Sequence, residues 1–358
     1  MIRTVVLTRK IPPLKKSKRI IHFFAFDTET YRTTKAIKYL ENEKKVLDDS
    51  YIHKMRILSY VHIFIEGSNY KVVNERVTSN TEDFVDEILS VFNLRNSPST
   101  IYVFSFNLRF DLLASKILEI LSKKGFYVSP GGFYFENAQS FVTMERYNIN
   151  RQKKQKITFI DLRNYFRVGN LNSIAKEIIG KEKDEIDIMK YVNKENLTKE
   201  ELETLSKYCL KDSQLVAEIV IFLNENLFKK YAFGLTISSV AFDTYRKYFL
   251  KDIYIHKFEK VKEIERQSYY GGRTECFKIG NFNEKVYIYD INSLYPSQYS
   301  NLLPSQFVGM FKNISVNELF KLMNEYLVIA KVKVNITENK LPYRMNNKLI
   351  FPIGKFTT

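Results

Sequence analysis

The chain reads as an α/β protein built in two parts. Three observations predict this. Short apolar and aromatic runs of strand length recur through roughly the first 232 residues, and stretches with apolar residues at helical spacing alternate with them. A break at Tyr269-Tyr270-Gly271-Gly272-Arg273 then precedes a second segment that opens on another apolar run. Hydrophobic residues make up 45% of the 358 positions and charged residues 27%, enough to bury a sizeable core and to exclude a disordered or fibrous chain.

Residues 1–20 carry seven cationic side chains, Pro12 and Pro13, and no acid, so they read as a mobile basic arm, with a strand around Arg3–Thr8 as the alternative. Ile20–Phe26 is apolar and aromatic throughout, as a strand buried on both faces should be. Ile57–Ile65 predicts a second strand. Thr81–Phe92 opens on a threonine and early acids before apolar positions at helical spacing, which predicts a capped helix. Ile101–Phe106 predicts a buried strand running into a helix over Phe110–Ser122. Phe133–Phe135 and Ile157–Ile160 flank a turn with Arg151, Lys153, Lys154 and Lys156, read as a hairpin with a basic tip. Glu200–Leu227 lacks Gly and Pro and predicts a long helix that stops before Gly234. A helical connector runs to about Arg266. Strands are then expected at Val286–Tyr289 and Tyr326–Val334, followed by the apolar segment Leu349–Gly354. The implied organisation is an arm (1–20), an α/β domain (21–232), a connector (233–285) and a partial second domain (286–358).

Lysine and arginine number 56 against 40 acids, a formal charge of +16, which favours a polyanionic partner. Cys209, Cys276 and four scattered histidines predict neither a zinc site nor a disulfide framework. No apolar run approaches the roughly 18 residues of a membrane span, and the basic first residues lack the apolar core of a signal peptide. A soluble, intracellular protein without membrane partners is expected.

The first strand ends in Asp27-Thr28-Glu29, where residues two apart project from one face and two carboxylates can converge. Asn107-Leu108-Arg109-Phe110-Asp111 follows a buried strand where the chain turns into a helix, a place where an acid also serves as a helix cap. Tyr208-Cys209-Leu210-Lys211-Asp212 puts a phenol and a carboxylate four residues apart on one helix face. Asp27, Glu29, Asp111 and Asp212 together would repel one another unless cations neutralised them. Hard oxygen ligands of this kind suit Mg²⁺ or Mn²⁺. Two such ions about 3.5–4 Å apart bind the attacking and leaving oxygens of a phosphodiester, so phosphodiester hydrolysis is the implied reaction. Tyr208 would orient the attacking water, and Thr30, Asn107 and Phe110 would hold terminal nucleotides by hydrogen bonding and stacking. Asp161 and Asn164 follow the strand Ile157–Ile160, where Asp161 reads first as a structural cap.

The order and content of these three pieces resemble the exonuclease motifs of family B DNA polymerases, D-x-E, N-x-x-[FY]-D and Y-x-x-x-D. The resemblance implies a ribonuclease H-like 3′–5′ exonuclease domain with two metal ions. Asp290-Ile291-Asn292-Ser293-Leu294-Tyr295-Pro296-Ser297 resembles motif A of the same family's α+β palm domain. That likeness implies metal binding by Asp290 and nucleotide binding by Ser293, Leu294 and Tyr295. Tyr270-Gly271-Gly272-Arg273 resembles the Y-x-G-G type loop at the exonuclease–polymerase junction and implies DNA contacts there. The general arrangement looks most like the protein-primed branch.

The family's K-x-x-x-N-S-x-Y-G helix and D-T-D-S hairpin do not occur before Thr358. The expectation is therefore the amino-terminal portion of a replicative enzyme, with its exonuclease whole and its polymerase centre lacking a second aspartate. Implied partners are single-stranded and primer-template DNA. Deoxynucleoside triphosphates, and a terminal protein primer or a second chain, would join if the polymerase centre were completed. An exonuclease-only or split-polymerase subunit, or a non-catalytic DNA-binding module, is the alternative.

Overall fold

A computed structural model describes all residues except 1–7, 16–18, 34–36, 42–43, 49–51, 68, 137–138, 151, 167, 302, 304–306 and 347. Two compact units divide the chain: Pro13–Leu250, and Lys251–Thr358 together with Met1–Pro12. Half of the expected basic arm, residues 1–7 and 16–18, lies outside the described residues. Within it, strand β1 (Thr8–Lys10) pairs antiparallel with Tyr254–His256 of its own unit.

The first unit is a three-layer α/β structure, as the alternating pattern predicts. In chain order it holds β2 (His22–Thr33), a small hairpin β3 (Ile37–Glu41) and β4 (Lys44–Asp48), then β5 (Ile52–Glu66), β6 (Asn69–Thr78), α1 (Thr81–Val91) and β7 (Thr100–Ser105). Helices α2 (Leu108–Ser115) and α3 (Ile117–Lys123), strands β8 (Tyr127–Glu136), β9 (Gln139–Asn148) and β10 (Lys153–Asp161), and helices α4 (Leu171–Ile179), α5 (Ile188–Val192), α6 (Lys199–Leu223) and α7 (Ile237–Tyr248) follow. The seven-stranded mixed sheet runs β6-β5-β2-β7-β10-β9-β8, with β2–β7 and β7–β10 parallel and the other pairs antiparallel.

Alternation along β2 explains why both its faces are apolar. Phe23 and Ala25 join a core with Phe104, Val216, Ile219 and Val220 under α4 and α6. Phe24 and Phe26 join Phe84, Ile88, Val103 and Phe159 under α1–α3 on the opposite face. Asn80, not Thr81, caps α1, accepting a hydrogen bond from the Glu82 N–H. The expected helix Phe110–Ser122 is broken: Lys116 sits in the left-handed region (φ 52°) and splits it into α2 and α3. The expected pairing of Phe133–Phe135 with Ile157–Ile160 gives way to an intervening strand, because β9 pairs with both β8 and β10. The long helix α6 starts at a Thr198–Glu201 capping box and ends in a π turn over Asn224–Phe228.

The second unit contains β11 (Tyr254–His256), α8 (Glu259–Ser268), α9 (Leu294–Ser297), α10 (Val316–Glu325), and the antiparallel pairs β12 (Lys333–Ile336) with β15 (Gly354–Thr357) and β13 (Tyr343–Met345) with β14 (Lys348–Ile350). Val286–Tyr289 is not a buried strand: it is irregular, and Ile288 is 95% exposed. A strand's backbone groups need a partner, and no described strand of this unit pairs with that run. The strand expected over Tyr326–Val334 is confined to its end, at β12.

Candidate active site

Strand β2 outruns its parallel neighbour. It pairs with β7 only from Phe23↔Tyr102 to Ala25↔Phe104, whereas its pairing with β5 continues to Thr33↔Ile52. Asp27 and Glu29 therefore lie in mid-strand, not at the strand end expected from sequence, but at the level where one edge of β2 is released from β7. A register shift follows at once: Glu29 pairs with Ile57 and Thr30 with Met55, leaving Arg56 as the extra residue of a bulge. Helix α6 packs on β2 and β5 and carries Asp212 to the same face. One carboxylate oxygen each from Asp27, Glu29 and Asp212 lies within 4.8 Å of the others, a group that can hold a metal ion.

The electrostatics of this group are unfavourable on their own. Burial, and then the charges of Asp111, Asp212 and Glu29, push the Asp27 carboxyl well above its ordinary range. Burial and Asp212 push Glu29 up to about 8. Burial also raises Asp212, opposed by Lys183, whose ammonium pairs with Asp212 Oδ2. Burial disfavours the charge on Lys183, yet Asp212 outweighs it and holds the ammonium above its usual range. The same ammonium lies 4.8 Å from the Tyr208 ring centroid, so one lysine ties the tyrosine to the aspartate four residues on. Asp212 Oδ1 is buried without a hydrogen-bond partner. An all-oxygen donor set with one orphaned carboxylate oxygen fits a hard divalent cation.

Asp111 stands beside Asp27 but outside the three-carboxylate group. Thr28 Oγ1 donates to its Oδ1 (2.7 Å) and Ser105 Oγ to its Oδ2 (2.6 Å). Burial raises its pKa to about 7 while those two hydroxyls pull it back. Cys209 backs the site from α6, with Sγ 3.7 Å from Asp27 Oδ2 and 3.2 Å from Ser59 Oγ.

Asn107 adopts a left-handed conformation (φ 74°) at the start of α2. Asp161 fixes that start: its carboxylate accepts from the backbone N–H of Leu108 (3.0 Å), from Ser140 Oγ (3.1 Å) and from the Arg163 guanidinium. It also caps the 3₁₀ turn Leu162–Tyr165, the structural role read from sequence. Arg163 Nη2 reaches on to Asn107 Oδ1 (3.0 Å). Asn164 is likewise structural, bonding both backbone groups of Ser140 and the Leu235 carbonyl. Thr30 is buried with its hydroxyl 2.9 Å from His53 Nδ1, and Phe110 meets the His53 ring edge-on. Sequence reasoning missed Lys183 and His53. Lys183 lies between α4 and α5 among other charged residues, where no spacing marks it.

In the second unit Asp290 is exposed in irregular chain, and Ser293 (φ 54°) precedes the short α9 that carries Leu294 and Tyr295. No other acid joins Asp290 in a metal-binding group among the described residues. Gly272 approaches this segment so closely that a Cβ there would meet the Tyr295 hydroxyl at 3.3 Å. Arg273 is held within its unit: its Nε donates to Glu275, its Nη1 donates to the Asn339 carbonyl, and its guanidinium lies 4.1 Å over Phe351. The Arg344 guanidinium lies 5.4 Å over the ring of Tyr270, and Gly271 sits in open space.

Residues 143–358 match the family described as DNA polymerase type B, organellar and viral. The chain belongs to that family. It is 29% identical over 171 residues to a probable DNA polymerase of Neurospora intermedia, a match covering 42% of this chain and 17% of that protein. It is 28% identical over 162 residues to a probable DNA polymerase of Podospora anserina, covering 42% and 13%. The matched segments thus span less than a fifth of either relative. Among solved structures it is similar to Phi29 DNA polymerase complexed with single-stranded DNA, at 17% identity and a TM-score of 0.47, over 71% of this chain and 40% of that one. The three-layer α/β unit with its mixed sheet and the smaller second unit are the two parts of this type B polymerase chain. No described helix of the polymerase chain is long and apolar enough to cross a membrane.

Proposed function

We propose that this chain carries the 3′–5′ exonuclease of a type B DNA polymerase acting in DNA replication and removes terminal nucleotides from single-stranded or primer-template DNA. The observation that carries the reading is the convergence of Asp27, Glu29 and Asp212 within 4.8 Å, with Asp212 Oδ1 buried and unpaired. Two Mg²⁺ or Mn²⁺ ions bound there would supply charge neutralisation and an activated water at the scissile phosphodiester. Asp27, Glu29 and Asp212 hold them, and Asp111 joins once its oxygens turn from Thr28 and Ser105. Tyr208, set by Lys183, orients the attacking water through its hydroxyl. Asn107 and Phe110, at the start of α2, face the terminal nucleotide by hydrogen bonding and stacking.

Asp290, Ser293, Leu294 and Tyr295 are the matching elements of a nucleotide site that binds deoxynucleoside triphosphates when a second metal-binding aspartate completes it. Tyr270–Arg273 lies along the DNA path. A terminal protein or a further polypeptide is the partner this arrangement would take.

The test is Mg²⁺-dependent release of nucleotides from 3′-labelled single-stranded DNA by the chain, compared with Asp27→Ala and Asp212→Ala. Hydrolysis lost in both variants supports the reading. Binding without hydrolysis by the unaltered chain rejects it in favour of a non-catalytic DNA-binding module.

A further inference from the structure

Thr30, the residue that sequence assigns to terminal-nucleotide binding beside Glu29, is buried, and its hydroxyl is taken by His53 Nδ1 at 2.9 Å. The group this position presents to solvent is the imidazole. His53 sits on β5 opposite Arg32, just beyond the bulge that follows Glu29, and is itself exposed. Its ring is fixed from two sides. Thr30 holds Nδ1, and Phe110, from the start of α2, packs edge-on with centroids 5.7 Å apart at 76°. In the tautomer where the Thr30 hydroxyl donates to Nδ1, the ring N–H is at Nε2, which has no partner among the described residues.

We propose that His53 is a DNA-binding residue of the exonuclease cleft, its Nε2–H donating to a phosphate oxygen of the strand undergoing hydrolysis, with Thr30 as the residue that orients it. The chemistry of the cleft calls for such a donor. Its floor is carboxylate, which repels the DNA backbone, and Lys183 is committed to Asp212. A hydrogen bond from a pre-set ring to an anionic oxygen loses little rotamer freedom on binding, because Thr30 and Phe110 have already fixed the side chain. This deepens the exonuclease reading and rests on it.

The experiment measures binding of a fluorescent oligothymidylate of about ten nucleotides by anisotropy in EDTA, for the unaltered chain, His53→Ala and His53→Gln. It uses a set of oligonucleotides each carrying one uncharged methylphosphonate linkage near the 3′ end. Loss of one hydrogen bond to a charged group should weaken His53→Ala about tenfold. One linkage should weaken the unaltered chain by a similar factor and leave His53→Ala unchanged. His53→Gln, which keeps an N–H in reach, should retain most of the affinity. Equal affinity of His53→Ala and the unaltered chain, or equal methylphosphonate penalties in both at every linkage, overturns the assignment. If His53→Ala melts early, His53→Gln and the linkage scan decide. Nucleotide release in Mg²⁺ is followed on the same preparations. Coupling without hydrolysis rejects the nuclease and keeps the contact, whereas hydrolysis without coupling rejects the contact alone.

Discussion

The Lys183 ammonium grips one oxygen of Asp212 and leaves the other, Oδ1, buried with nothing to bond. One cation thus compensates a group of three convergent carboxylates only in part, and the remaining charge is what a bound divalent ion would neutralise. Mg²⁺ should therefore raise the melting temperature of the chain, by an amount that grows with ion concentration as for any ligand of the native state. Asp27→Asn should raise the metal-free melting temperature by roughly 2–4 °C per kcal/mol of repulsion relieved, whereas Asp212→Asn also strips Lys183 of its partner and should lower it; each should abolish the Mg²⁺ shift and the hydrolysis. Thermal scans with and without Mg²⁺ check both halves. A variant that still shifts fully with Mg²⁺ would place the ion elsewhere.

Lys183→Met removes the cation paired with Asp212 while keeping the aliphatic bulk. Metal-free stability should drop, because a buried carboxylate is left without its cation, and the stabilisation gained on adding Mg²⁺ should grow. The tyrosine loses its anchor as well, so nucleotide release should slow by about two orders of magnitude, the usual range for a positioned acid–base group. Single-turnover rates at saturating Mg²⁺ separate this loss from any change in metal affinity.

The large apolar runs made β2, β5 and β7 legible in sequence, because a strand buried on both faces has almost no polar positions to confuse its pattern. Strand β6 is exposed along most of its length and carries no such pattern, so it passed unseen. The break between α2 and α3 falls on Lys116, a residue type that seldom marks a left-handed turn. The acids of the site could be named from motif spacing, since short range fixes which face they occupy. What spacing does not hold is long-range partnership: that Thr28 and Ser105 occupy both oxygens of Asp111, or that Thr30 is covered by His53.

The basic tip shows the same limit. Sequence reads Arg151, Lys153, Lys154 and Lys156 as the basic tip of a hairpin, and Arg151 lies outside the described residues. In the fold Lys153 donates to the Ser97 carbonyl (2.7 Å), while Lys154 and Lys156 both pair with the buried Glu145 (2.6 and 3.2 Å). Lysine-to-alanine changes there should cost stability more than DNA affinity. Glu145→Gln should do the reverse for binding: it releases two cations, raises affinity for single-stranded DNA, and steepens the dependence of log K on log salt by about one. Salt titrations of both variants decide whether the tip contacts nucleic acid at all.

Arg163 links Asp161 to Asn107 across 56 residues of chain. Removing its guanidinium leaves a fully buried carboxylate with backbone and serine donors alone, so Arg163→Ala should destabilise by about 1–3 kcal/mol. Freed from Arg163, Asn107 loses its set orientation, and KM for DNA should rise more than kcat falls. Arg163→Lys cannot span both partners and should restore stability better than KM. Denaturant titration and steady-state kinetics on the same variants check the split.

His22 and His62 form a buried pair at the far end of β2 from the carboxylates, with His22 Nδ1 3.1 Å from His62 Nε2 and Glu87 behind His62 at 3.2 Å. Burial, and then His62, lower the His22 pKa from 6.5 to about 4. Above pH 6.5 the ring is neutral folded or unfolded and contributes no pH dependence. As pH falls from 6.5 towards 4, the unfolded chain takes up a proton that the folded one refuses, and stability is lost, by up to about 3 kcal/mol. The raised acids of the site act in the opposite sense. Glu29 near 8 and Asp111 near 7 bind protons in the folded state before the unfolded one, so the metal-free chain gains stability from them as pH falls from about 8 towards 5. The net profile mixes both, and His22→Phe isolates one. In EDTA its unfolding free energy should fall less than that of the unaltered chain between pH 7 and 5. Parallel profiles would mean that the His22 proton is accepted equally well in the folded protein.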